Sequence, residues 1–462
     1  MEKTRGDLRK CFAAFSGAPL DRLQSIFGSW VKLPKGFGRG KRIRLFTPSR
    51  MFWLFLSQVL DKECSCRDSL RKFQAWLYVE KGKTSSASTA GYCKARLKVS
   101  CVDIRQVSQM ISAKMDKRCP WLWCGRVVKV VDGSGLSMPD TPENRETWPL
   151  SKKSKPGCGF PVMRVVALFS LATGALLDLA HGSLAIHERT LYRSLWNLLK
   201  KGDVLLGDRG FGGFADFYFL SLKGIDCVMR KNGRRINAGV IKRISKKDRI
   251  VEWRKTRICP KWLDRNSWLA LPDSMAVREV EVTVHNPGFR SKTIFIVTTL
   301  LDPREFPASS LSGLYLKRWK VELFLKDIKI TMGMDILKCR TPKMIETELW
   351  MKVTAYNLIR AVMMEAAIKH DISLEHVSFK GTISTIRQWA VYLADPALST
   401  KRRAQLYAAM ISYIARDKVP RRPGRSEPRA RKRRPKNFEL LSKPRHLFKE
   451  IMHRNRYRKS LS

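Results

Sequence analysis

The sequence predicts a mixed α/β protein with helical segments at both ends, and three observations carry that reading. Two short apolar runs, VVKVV at 127–131 and VLLG at 204–207, lead directly into Asp132 and Asp208, with glycine close behind each acid. Runs of this length made almost wholly of β-branched and aliphatic residues read as buried strands. A longer run, FPVMRVVALFSLATGALLDLAHG, is split by an Ala-Thr-Gly turn and reads as two apolar strands of a hairpin. Helical spacing then alternates with the strands in the order strand, hairpin, helix, strand, helix, strand, which is an α/β layout. Because the first connections are hairpins, the sheet is expected to be mixed rather than wholly parallel.

Taken in order, residues 1–125 read as a helical domain. Pro48-Ser49-Arg50 opens the segment MFWLFLSQVL, DKECSC makes a turn, and RDSLRKFQAWLYVEK follows with helical spacing. After the polar break KGKTSSASTAG comes the basic segment YCKARLKVS. Two short helices, a turn and a basic third element fit a helix-turn-helix DNA reader, and equally a small bundle without base contacts. Residues 126–231 form the first part of the α/β core, with strands expected to end at Asp132 and Asp208. Its helices are expected over HERTLYRSLWNLLKKG and FGGFADFYFLSLKG, with a further strand at IDCVMR. Residues 232–290, with alternating segments such as REVEVTVH, read as a β-rich insertion. Residues 291–371 resume the core with the strand KTIFIVTTL, a helix capped by Ser309 or Ser310, and the long apolar helix TPKMIETELWMKVTAYNLIRAVMMEAAIKH. Residues 372–418 read as further helices. Residues 419–462 are a Pro- and Arg-rich tail without a core pattern.

Charge narrows the partners. Ninety Lys and Arg against forty Asp and Glu give a formal net charge of +50 over 462 residues. Self-repulsion on this scale fits a polyanionic partner, with nucleic acid the leading one and binding that weakens steeply with salt. The N-terminus lacks the apolar stretch of a signal peptide, and the longest apolar run, 165–180, is too short to span a bilayer. No membrane role is expected. The eleven cysteines are scattered without zinc-site spacing, which fits free thiols in a reducing cytoplasm. No glycine-rich loop precedes a Lys-Ser or Lys-Thr, so no nucleotide cofactor is implied.

The chemistry centres on YLKRWKVELFLKDIK at 315–329. At about 100° per residue, Tyr315, Arg318, Glu322 and Lys329 share an arc of roughly 60°, while Val321, Phe324, Leu325 and Ile328 take the neighbouring arc. One face can pack into a core while the next presents a carboxylate among groups that suit phosphate oxygens. An amphipathic helix with incidental ion pairs is the plain alternative. Asp132, Asp208 and Glu322 are then three acids suited to hard divalent ions. Two such ions can clamp an in-line phosphoryl transfer in which water or a 3′-hydroxyl attacks. Singly, an Asp between strand and glycine also serves as a turn residue. His181 and His187 read as satisfied or capping histidines, and Asp140, Asp203 and Asp216 have weaker settings.

Tyr315-x2-Arg318-x3-Glu322-x6-Lys329 resembles the signature of bacterial insertion-sequence transposases with a DDE triad. Asp132 in VVDGSGLSMPDTPEN resembles that group's first acid segment and Asp208 in GDRGF its second, while STAGYCKARLKVS and RRPGRSEPRARKRRPK are similar to stretches of the same group. The resemblance implies a ribonuclease H-like core interrupted by the β-rich insertion, with Mg²⁺ or Mn²⁺, two ions, held by Asp132, Asp208 and Glu322. It implies that Tyr315, Arg318 and Lys329 grip phosphates near a cleaved DNA end, and that a tryptophan of the insertion, here Trp253, stacks on a flipped base. Core packing is the alternative for Trp253. It further implies a DNA transposase that binds the terminal inverted repeats of its own element, cuts and joins strands, and works as a homodimer on two ends; the net charge predicts a cytoplasmic, nucleoid-associated protein. Two other functions use the same residues: a DNA-binding descendant without catalysis, and a structure-selective nuclease on the same fold.

Overall fold

The computed structural model describes residues 19–37, 45–150, 159–233, 237–284, 292–419 and 447. The tail from 420, apart from residue 447, and residues 1–18 of the expected N-terminal domain lie outside the described residues.

Among the described residues five helices come first: α1 (Pro19–Phe27), α2 (Pro48–Leu60), α3 (Cys66–Lys81), α4 (Ala90–Arg96) and α5 (Cys101–Arg118). Their ends are written locally. Thr47 caps α2 ahead of Pro48, and Ser65 with Asp68 forms a capping box on α3, which Gly82 closes in the left-handed region at φ 57°. The core that follows runs β1 (Val128–Ser137), α6 (Pro142–Thr147), β2 (Val162–Ser170), β3 (Leu176–Ser183), α7 (Glu188–Arg193), β4 (Val204–Gly207), α8 (Phe214–Leu222) and β5 (Asp226–Arg230). The insertion supplies β6 (Asn237–Ser245), β7 (Asp248–Arg254), α9 (Arg265–Leu269) and β8 (Ser274–Val284). Then come β9 (Lys292–Thr298), α10 (Ala308–Lys317), α11 (Lys320–Lys326), a π-helical turn at Asp327–Thr331, α12 (Pro342–Lys369), α13 (Phe379–Leu393) and α14 (Thr400–Arg416).

The nine strands form one mixed sheet in the order β3-β2-β1-β4-β5-β9-β8-β7-β6. β1 pairs antiparallel with β2 and parallel with β4, and β4 is parallel to β5; every remaining pair is antiparallel. The insertion therefore extends the core sheet. Apolar side chains cover both faces. Val128, Val130, Val204 and Leu206 join the core that holds the N-terminal helices, α11 and α12, while Val131, Leu205 and Met229 join the core beneath α7 and α8. That alternation is the period of two expected for strands buried on both sides.

Three expectations are corrected. β1 does not stop at Asp132 but runs five residues further to Ser137, pairing with β2 throughout. The helix expected across HERTLYRSLWNLLKKG ends at Arg193 and continues only as a 3₁₀ turn at Trp196–Leu198. From Leu195 the backbone bonds tighten to i→i−3, and the buried pair Lys129–Asp203 stops the 3₁₀ turn from running on into Lys200. Lys129 Nζ takes the Leu198 carbonyl at 2.7 Å, and Asp203 accepts the Lys200 N–H at 2.7 Å, so these groups leave the helical ladder. Neither Ser309 nor Ser310 caps the helix before the signature; Pro307 holds the cap position without a side-chain bond. The insertion is tied to the same region. Arg278 of β8, fully enclosed, pairs with Asp248 of β7 at 2.8 and 2.6 Å and donates to the Phe306 carbonyl at 2.7 Å, just ahead of α10.

Candidate active site

The sheet register sets the two aspartates side by side. β1 and β4 pair as Val128↔Val204 and Val130↔Leu206, after which β4 ends. Carrying that register on by two residues brings Asp132 level with Asp208, where the strands part. Both continue the series 128/130 and 204/206, so both face the side on which Val321, Phe324 and Ile328 are buried. Phe324 packs on Phe169 of β2 with ring centroids 5.6 Å apart, which holds α11 across this end of the sheet.

The carboxylates share one electrostatic field. Burial holds the Asp132 carboxyl above its ordinary range; the Gly133 N–H and Arg318 pull it down, and Glu322 and Asp208 push it up. The Gly133 N–H donates to Asp132 Oδ1 at 2.8 Å. Burial likewise raises the Tyr315 hydroxyl to about 12, with Arg318 lowering it and Asp208 raising it. Arg318 is 8% exposed. One Nη faces Glu322 Oε1 at 3.5 Å, and its Nε is buried without a partner among the described residues. Lys329 donates to Ser134 Oγ at 2.9 Å and to the Gly135 carbonyl at 3.0 Å, which ties the signature segment to β1 just beyond Asp132.

The single helix expected over 315–329 is in fact three pieces. α10 ends at Lys317, Arg318 and Trp319 form a turn, α11 ends at Lys326, and Lys329 lies in the π turn. The apolar arc survives, with Val321, Phe324 and Ile328 buried and Leu325 half-buried. Single π turns of this kind recur at functional sites because they re-aim side chains.

The donor set suits a divalent ion: hard carboxylate oxygens whose mutual repulsion a cation would relieve. Among the described residues, however, no three His, Cys, Asp or Glu side chains form a ready-made metal cage. Glu322, whose side chain is 60% exposed, is turned toward Arg318 and would have to leave it to close on an ion shared with the aspartates.

Trp253 is not brought to this site. It is 1% exposed, packs on Phe217 at 5.3 Å, and its indole nitrogen lies 3.5 Å from Glu279 Oε1, so its place is the core of the β7–β8 region. Trp319 is the indole that stands beside Arg318, 39% exposed, with the guanidinium carbon 5.8 Å from its ring. It lies outside the insertion, in which the resemblance points to a tryptophan, and its place between Arg318 and Lys320 is the signal that marks it in the sequence. Glu188, at the start of α7, was also missed. Its carboxylate would lie 3.0 Å from a Cβ placed on Gly133, so this exposed side chain sits against the backbone of the residue after Asp132. His187 accepts the Arg189 N–H at 3.2 Å, and Asp140, Asp203 and Asp216 pair with Arg145, Lys129 and Arg193.

Fold and site together define a mixed α/β protein with Asp132 and Asp208 at adjacent strands, and with Arg318 and Glu322 of the helical segment packed on the sheet near enough to act on Asp132. The chain belongs to the transposase DDE domain family, matched over residues 123–358. It is similar to the transposase InsG for insertion sequence element IS4 of Escherichia coli strain K12, 24% identical over 401 residues, covering 85% of this chain and 87% of that protein. Among solved structures, the piggyBac transposase synaptic complex with hairpin DNA aligns over 89% of this chain and 87% of that one, at 10% identity and a TM-score of 0.43. No helix among the described residues is long and apolar enough to cross a membrane.

Proposed function

We propose that this protein is an insertion-sequence transposase of the group with the Tyr-x2-Arg-x3-Glu-x6-Lys signature. It binds the terminal inverted repeats of its own element and catalyses strand cleavage and strand transfer. The observation that carries this reading is the shared field of Asp132, Asp208, Glu322 and Arg318 where β1 and β4 part. Strand order β3-β2-β1-β4-β5, antiparallel then parallel, supports a ribonuclease H-like core at 126–231 and 291–371, with residues 232–290 as its insertion.

In this reading Asp132, Asp208 and Glu322 hold Mg²⁺ or Mn²⁺. The bound ions would activate the attacking oxygen and stabilise the leaving one. Arg318 leaves Glu322 and turns its guanidinium to a phosphate oxygen; Tyr315 and Lys329 fix neighbouring phosphates. Trp319 offers an exposed ring face to an unpaired base. The net charge of +50 draws in the DNA. Holding two ends at once calls for a homodimer, and the partner places the protein with the nucleoid in the cytoplasm. Residues 1–125 and the tail at 419–462 add DNA contacts, and the helices of 372–418 back the core.

The test is a strand-transfer assay with element-end DNA and a plasmid target in Mg²⁺ or Mn²⁺. Joined products are expected. Hydrolysis without joining would leave a nuclease, and end binding without cleavage would leave a DNA-binding descendant.

A further inference from the structure

The turn between α2 and α3, together with α4, meets the stretch that leads into α12, and a cavity of about 500 Å³ lies between them. Arg96, 6% exposed, forms part of its wall. The hydrogen bonds of this guanidinium go to neutral groups. Nη1 donates to Gln58 Oε1 at 3.1 Å and meets Cys66 Sγ at 3.2 Å, and Nη2 meets Cys339 Sγ at 3.0 Å. Nε is buried and unpartnered among the described residues. Burial pushes the Cys339 thiol up, so it brings no countercharge. Lys352, 4% exposed, lines the same cavity and donates to the Met332 and Gly333 carbonyls at 3.2 and 3.3 Å. Glu348, a buried acid in the same wall, already accepts the Lys338 and Cys339 N–H groups at 2.8 and 2.9 Å. Asp61 faces Lys72 at 3.3 Å, and Glu63 is exposed. Glu348 acts on both cations and the Arg96 guanidinium lies 4.3 Å over the Phe55 ring, yet burial still holds the Lys352 ammonium below its ordinary range, and an anion in the cavity would relieve it.

A second feature points to the same ligand. The 28-residue helix α12 begins at this wall with Thr341 at its N-cap; the Thr341 side chain makes no capping bond, and its first turn carries no acid. The uncapped start of a long helix presents partial positive charge and free N–H donors to an anion.

We propose that this cavity is a phosphate-binding site, in which the N-terminus of α12 and Arg96 hold one phosphate group while Lys338 and Arg340 flank it. The site is separate from the three acids and goes beyond the chemistry proposed for them. A DNA phosphate and a free phosphate or nucleotide share this chemistry, and the experiment separates them.

The test uses the full chain. Thr341→Asp places a carboxylate at the cap, where it satisfies the same N–H groups and stabilises the helix. Ser399→Asp, at the cap of α14, adds the same charge elsewhere. Inorganic phosphate is titrated by calorimetry at ionic strength fixed with chloride. Wild type and Ser399→Asp are expected to bind it, and Thr341→Asp at least tenfold more weakly at an unchanged or raised Tm. Arg96→Met should also lose binding, and Arg96→Lys should keep part of it. Duplex DNA binding is compared in parallel. A weaker grip by Thr341→Asp than by Ser399→Asp assigns the phosphate to DNA, whereas a change confined to the phosphate titration assigns it to a small molecule. The proposal falls if wild type shows no phosphate binding and the two Asp variants hold DNA alike.

Discussion

Phe324 is the most direct handle on how Glu322 is placed. It is buried between Phe169, at 5.6 Å, and the Arg360 guanidinium, at 5.2 Å, and lies two residues from the acid. Phe324→Ala removes the ring and leaves a void, which in buried sites costs about 3–5 kcal/mol. Phe324→Leu keeps most of the volume and costs about 1 kcal/mol. α11 is only seven residues long and has no side-chain cap, so the loss falls on its docking before it falls on the whole fold. If undocking draws 2–3 kcal/mol of that cost, single-turnover cleavage drops by roughly a hundredfold at about 1.4 kcal/mol per decade. The Leu variant should drop by less than tenfold. Binding of random duplex should stay within twofold, because the sheet and the N-terminal helices keep their charge. The assay pairs urea denaturation with cleavage of a labelled duplex carrying the element end. Wild-type cleavage by Phe324→Ala, or a stability loss below 1 kcal/mol, refutes the reasoning that this ring sets the acid's position.

Asp132→Asn, Asp208→Asn and Glu322→Gln should each abolish cleavage while leaving end binding largely intact; loss of binding in all three would point to a structural role. Asp132 also predicts a pH slope. Its carboxyl sits above the ordinary 3.8 in the fold, so its favourable contribution is complete below that value and is lost as pH rises through the folded one. Urea midpoints in EDTA should fall over that window for wild type and flatten for Asp132→Asn. Arg318→Ala should weaken binding to cleaved ends more than to random DNA, read by competition binding; equal loss on both removes its special assignment. Trp253→Ala should destabilise by about 3–5 kcal/mol, with cleavage falling only as the folded fraction does. A cleavage defect in a stable Trp253→Ala protein would return that ring to the site.

Much of this was legible because buried strands announce themselves. The runs ending in Asp132 and Asp208, the hairpin turn at 172–174 and the long apolar helix all carry their period in the sequence. What escaped depends on contacts between distant residues. Nothing local marks where β1 outlives β4, since that follows from pairing with β2. The stop, before Lys200, of the 3₁₀ turn after α7 follows from Lys129 and Asp203, 74 residues apart. The break at Arg318 and the π turn defeat a uniform helical wheel, although the apolar arc was right. For Trp253 the alternating segment allows both a base-stacking ring and a core ring; β7 lies inside a nine-stranded sheet, and the contact with Glu279, 26 residues away, puts the ring in the core.

The enclosed Arg278 makes the insertion a structural neighbour that the signature segment cannot ignore. One guanidinium grips a strand of the inserted region and the carbonyl from which α10 departs. The start of α10, and with it the stretch carrying Tyr315 and Arg318, is thereby anchored to β7 through a single side chain. Exchanging this region for that of a relative would succeed only if the newcomer brought a cation to the same spot.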